Sequence, residues 1–130
     1  MSPRIAIGIG CRIGCSANAI EALIRQALNH VPDAYALGLF TITDKSEEAG
    51  LIEAAGRLNL DLVFLSRDAL RAQAPLVRTR SPRAEALFGV PAIAEAAALA
   101  GAGVGASLIV PRMANQGVTC AVAEARTSTP

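Results

Sequence analysis

Tryptophan is absent from this chain of 130 residues, tyrosine occurs once, and aromatics amount to only 3%. A nucleic-acid surface needs either a basic stripe or a stacking platform. A formal net charge of +1 and so few rings supply neither, which excludes nucleic acid as a partner. The same balance of charge gives no field to draw the protein to an acidic membrane surface. Long hydrophobic runs are missing too. The longest, Ala92 to Val110, is broken by Glu95 and three glycines and falls short of a membrane span. Cysteines number three, an odd and sparse count that excludes a disulfide scaffold and fits a reducing compartment. The start, Met1-Ser2-Pro3-Arg4, has no charged leader and no cleavage site, so a cytoplasmic location is expected. His30 is the single histidine and no cluster has metal-ligand spacing, so neither a metal nor a cofactor is expected.

What the chain does have is small apolar side chains. Hydrophobic residues make up 52% of it, and alanine supplies much of that share, which suits closely packed α/β layers. The length allows one domain with one real core. It is expected over residues 1–126, with a frayed tail at 127–130. Arg4 to Cys11 reads as a first strand. Ser16 is placed to cap a helix whose apolar positions, from Ala17 through Ile20, Leu23, Ile24 and Ala27 to Val31, recur at helical spacing. Ala34 to Ile42 is a second strand, and Glu47 to Leu58 a second helix, with Asp44 and Glu47 at capping-box spacing. Leu62-Val63-Phe64-Leu65 reads as a buried central strand, followed by a short helix capped by Ser66. Beyond an irregular connector at 75–82, two helices are expected at 83–88 and 92–100, the second stopped by Gly101. Strands at 107–112 and 118–125 flank a turn at 114–117. Helices alternating with strands imply parallel crossovers, while the short last connection forces an antiparallel pair. The expectation is a three-layer α/β/α sandwich with a mixed, mostly parallel sheet of about five strands.

Chemistry gathers in Gly8-Ile9-Gly10-Cys11-Arg12-Ile13-Gly14-Cys15-Ser16, a Gly-rich stretch between the first strand and the first helix. Glycines permit positive φ and close approach of a ligand, and the helix behind it favours an anion. Arg12 adds a planar cation able to clamp a carboxylate or phosphate. The spacing is one residue too long for the dinucleotide fingerprint, and no Lys-Ser or Lys-Thr follows, so it is not a Walker loop. A small anionic ligand, or a tight turn that binds nothing, are the two readings of this spacing.

Several stretches in order resemble one family. Gly10-Cys11-Arg12-Ile13-Gly14-Cys15-Ser16 looks like the opening motif of the cobalamin-biosynthesis family of CobE and the CbiG C-terminal domain. Lys45-Ser46-Glu47-Glu48-Ala49-Gly50-Leu51 resembles its Lys-x-x-Glu-x-Gly-Leu segment. Ser81, Gly89-Val90, Glu95 and Ala97-Ala98-Leu99 resemble a later segment, and Val118 to Ala123 the final strand. Thr43, where Asp is common, and Arg112, where lysine is common, depart from the pattern; Phe88, often Val there, is read as a packing change.

The resemblance implies a corrin-ring protein that binds a precorrin or corrinoid intermediate, with other corrin-pathway enzymes as further partners. If it is enzymatic, the step implied is of lyase or hydrolase type on a precorrin. In the first loop the implied ligand-binding positions are Gly10, Cys11, Arg12, Gly14 and Ser16. Further along they are Lys45, Ser81, Glu95 and Arg112. Arg78, Arg80 and Arg83 read as solvated surface charges. Cys11 and Cys15 read as loop-packing thiols, although a helix N-terminus can lower a thiol pKa. Glu48, opening a helix after the Lys45 loop, is the candidate for proton transfer. A nucleotide- or metabolite-binding α/β domain using the Gly8–Ser16 loop is the alternative.

Overall fold

In a computed structural model that describes residues 2–126, five strands form one sheet in the order β3-β2-β1-β5-β4. The strands are β1 (Arg4–Cys11), β2 (Tyr35–Ile42), β3 (Leu62–Leu65), β4 (Ser107–Asn115) and β5 (Val118–Glu124). The helices are α1 (Ala17–Leu28), α2 (Ala49–Leu58), α3 (Arg67–Arg71), α4 (Pro82–Phe88) and α5 (Ile93–Ala102). The sheet is mixed: β1 pairs with β2 and β2 with β3 in parallel, while β5 runs antiparallel to both β1 and β4. The expected frayed tail at 127–130 lies outside the described residues.

Two side-chain sizes alternate along β1, and they set the layers. Ile5, Ile7 and Ile9, all fully buried, face α1 and α2 in one core with Ile20, Leu23, Ile24 and Leu51. Each such isoleucine contributes about 1.5–3 kcal/mol by leaving water. The other face of β1 presents Ala6, Gly8 and Gly10, and α5 lies on it. That helix is buried over most of its circumference, as its run of alanines requires. A Cβ built on Gly8 would stand 1.9 Å from the Ala94 carbonyl oxygen and 2.6 Å from the Ala98 nitrogen. Gly8 is therefore a strand residue that admits a helix backbone, while at Gly10 an added Cβ would stand 2.6 Å from the Thr119 Oγ1 of β5.

Ser16 caps α1 as expected, its Oγ accepting from the Ala19 N–H at 3.1 Å. Four other expectations change. No capping box forms at α2: Glu48 is the N-cap without a side-chain bond, and Thr43–Lys45 makes a 3₁₀ turn. Asp44 is drawn instead to Arg67, which donates to both of its oxygens at 3.1 and 2.6 Å. Strand β3 is an edge strand and only half buried, because the chain returns past β1 to build the other side of the sheet. Gly101 lies inside α5, where the Phe40 ring would sit 2.5 Å from an added Cβ. Ala114 and Asn115 extend β4, leaving Gln116 and Gly117, with φ of 53° and 79°, as a tight two-residue hairpin turn.

Candidate functional site

The strand order reverses at β1, with β2 and β3 to one side and β5 and β4 to the other. Open α/β sheets hold ligands beyond the carboxyl ends of their strands at such a point. A cleft of about 790 Å³ opens there, between the ends of β1 and β2, helix α4, the start of α5 and the β4–β5 hairpin. That volume is toward the upper end of the range of about 300–1,000 Å³ usual for small-molecule sites.

Arg12 and Lys45 reach this one cleft from the ends of β1 and β2. Arg112 reaches it from β4 and Arg83 from the first turn of α4. None of these four cations makes an ion pair among the described residues. Arg25, Arg57, Arg67, Arg71 and Arg80 all do. The carboxylates nearby are largely engaged. Asp44 is held ionised by the hydrogen-bonded Arg67 guanidinium, which keeps its pKa below the usual carboxylate range. Glu48 accepts from the Gly14 N–H at 3.0 Å and so straps the first loop to the head of α2.

Apolar surface completes the cleft. Ile93 and Phe88 line it, as does Leu87, which is 51% exposed, and Ile13 at its mouth is 87% exposed. The Phe88 ring lies 5.5 Å from both Lys45 Nζ and Arg67 Cζ, a cation–π arrangement that steadies the two cations. Phe88 is thus more than a packing change. Arg83 is an exposed charge that also borders the cleft, from the first turn of α4. Arg80, by contrast, pairs outside with Glu85 at 3.4 Å.

The remaining expected positions divide. Gly10, Cys11 and Ser81 line the cleft. Ser81 also caps α4 through the Ala84 N–H at 3.2 Å. Gly14, at φ +80°, makes the turn into α1 and is engaged by Glu48, while Ser16 is occupied as a cap. Glu95 is corrected outright: it is wholly buried, and its oxygens accept from the backbone N–H groups of Arg78, Thr79 and Arg112. A carboxylate so enclosed and so bonded cannot touch a ligand.

Cys11 and Cys120 are buried and Cys15 is half-buried. Burial pushes the Cys11 thiol up to about 12, with Cys15 adding to the shift and Lys45 opposing it. Burial alone does the same for Cys120. Cys15 donates its S–H to the Gly117 carbonyl at 3.3 Å, tying the first loop to the hairpin. A raised folded pKa favours the neutral thiol, so this contribution is complete below the unfolded value of 9.0 and fades as pH rises toward 12. Urea midpoints should therefore fall between about pH 7 and about pH 10, and fall less in Cys120→Ala. An equal fall in both proteins would refute the assignment for Cys120.

The sequence model of the family described as "Cobalamin synthesis G C-terminus" matches residues 5–123. The crystal structure of CobE, a protein from the cobalamin (vitamin B12) biosynthetic pathway, superposes with a TM-score of 0.89. It is 31% identical, over 99% of this chain and 95% of that one. The cobalamin biosynthesis protein chiG from Agrobacterium tumefaciens str. C58 superposes with a TM-score of 0.74. Its identity is 35%, over 95% of this chain and 99% of that one. No curated protein sequence matches the chain.

Proposed function

This chain belongs to the cobalamin synthesis G C-terminus family, and from that premise we propose that its cleft binds a precorrin or related corrin intermediate by the carboxylates around the macrocycle. The observation that carries the reading is the set of four cations, Arg12, Lys45, Arg83 and Arg112, without an ion pair among the described residues, in a cleft with an apolar floor. A phosphate cradle concentrates donors at one point. Here they surround the cleft, which suits a flat, apolar ring with anionic groups on its rim. Arg12 and Arg112 can each take a carboxylate with two hydrogen bonds, and Lys45 and Arg83 add charge between them. Leu87, Phe88 and Ile93 supply the surface for the ring itself.

Binding and release need no more than this, and the protein is read first as a carrier of the intermediate within the corrin pathway. Glu48 is the cleft carboxylate read as the candidate for proton transfer, and its bond to Gly14 N–H gives it a structural task as well. Nucleotide binding has less support, since the first loop offers its Gly14 N–H to Glu48 instead of to a phosphate.

Two corrins separate the readings: cobyrinic acid, whose side chains are free carboxylates, and cobinamide, whose side chains are amides. Followed by visible absorption, the protein should bind cobyrinic acid about tenfold or more tighter than cobinamide. Adenosine triphosphate should not compete. Equal affinity for the two corrins would refute recognition through the carboxylates, and competition by the nucleotide would favour a nucleotide site. Turnover of a precorrin by the native protein, lost in Glu48→Gln with affinity unchanged, would make it an enzyme with Glu48 as the proton donor or acceptor.

A further inference from the structure

The geometry points to Glu95 as a positioning residue that sets one side of the cationic rim, holding Arg112 and the 78–81 connector to the head of α5. This rests on the anion-binding reading above. Glu95 is the only charged residue in the described chain that is fully buried. A buried carboxylate persists only when its lone pairs are taken up. Here Oε1 accepts from the N–H groups of Arg78 and Thr79 at 2.8 and 2.9 Å, and Oε2 from that of Arg112 at 2.9 Å.

The Arg112 bond falls where the sheet leaves a gap. Between Val110 and Met113 the register of β4 against β5 shifts by one residue, and neither Pro111 nor Arg112 has a partner in β5. Proline has no N–H to offer, so the bulge leaves one donor, that of Arg112, and Glu95 takes it. Bulges re-aim side chains beside functional sites, and this one carries a cleft cation. The same carboxylate holds the connector that leads into Ser81, whose own N–H donates to the Pro91 carbonyl at 2.7 Å ahead of α5. One buried anion therefore joins two cleft walls.

Glu95→Gln tests the assignment because it breaks the clamp on one side. The amide oxygen can keep the pair of bonds from Arg78 and Thr79. Its NH₂ group then faces the Arg112 N–H, donor against donor. With cobyrinic acid as probe, Glu95→Gln should weaken binding about fivefold in the native background and change it less than about twofold in Arg112→Ala. Arg112→Ala alone should weaken it about tenfold. Salt dependence should also flatten in both single variants to the same degree, which a loss of stability alone would not produce.

Amide hydrogen exchange on the native protein supplies a reading that does not need the variant to fold. The amide of Arg112 should exchange as slowly as its paired neighbours in β4, although it lacks a strand partner. Fast exchange at Arg112, or additive losses in the double variant, would overturn the role of Glu95 while leaving the cleft's function intact. Absence of cobyrinic acid binding by the native protein would instead overturn the functional reading itself.

Discussion

Gly8→Ala should lower the melting temperature by about 10 °C or more, whereas Gly56→Ala should raise it by a few degrees. The substitution is the same, and only the surroundings differ. At Gly8 the new Cβ would lie 1.9 Å from a backbone oxygen of α5 and 2.6 Å from a backbone nitrogen. No rotamer can relieve a backbone contact, so the whole helix must lift from β1. Overpacking usually costs about 1–3 kcal/mol when side chains can yield, and here they cannot. At Gly56, exposed in the last turn of α2, nothing lies within 4 Å of the added carbon. There the methyl only removes freedom from the unfolded chain, a gain of about 0.4–1 kcal/mol. Calorimetry on the two variants decides the matter. A Gly8→Ala protein as stable as its parent would mean that α5 does not seat on β1 at this distance.

That contact also explains where sequence reasoning stopped. Element types follow from periodicity almost throughout, as in α1, which buries Ala17, Ile20, Leu23, Ile24 and Ala27 along one stripe. The reason for Gly8 lies in a helix more than eighty residues later, and that for Gly10 in the Thr119 side chain of β5, so a local reading assigns both to the adjoining loop. The clue is present in the alternation itself: Ile5, Ile7 and Ile9 against Ala6, Gly8 and Gly10, matched by small Ala121 and Ala123 in β5. A strand with one large and one minimal face asks for a helix of small residues, and the alanines of α5 answer it. Strand β3 went the other way. A four-residue apolar run is the same string in a central or an edge strand, and only the path of the later chain put it at the edge.

In the site, Arg12 and Lys45 could be brought to one place by reasoning because both follow parallel strands. Arg83 could not, since the placement of α4 beside the cleft depends on Ser81 capping it and on the bond from the Ser81 N–H to the Pro91 carbonyl. Glu95 reads as a site residue in the sequence for a related reason. A glutamate in a first helical turn looks like a dipole partner or a ligand contact, and nothing nearby in sequence announces a bulge at Pro111 that leaves a donor waiting.

Removing Arg12 and Lys45 together should weaken cobyrinic acid binding about a hundredfold, each cation contributing roughly tenfold through a charge-assisted contact. The two approach the cleft from different strand ends, so they would meet different carboxylates and their losses should nearly multiply. Arg12→Lys should fall between native and Arg12→Ala, since it keeps the charge but loses the planar fork. Arg25→Ala is the control: its guanidinium is already paired with Glu21 at 2.9 Å on the far side of α1, and affinity should stay within about twofold. Titration of all four variants at low and high salt separates the outcomes. If the double variant binds as tightly as the native protein, the cations at the ends of β1 and β2 are solvated charges, and recognition must come from Arg83, Arg112 and the apolar floor.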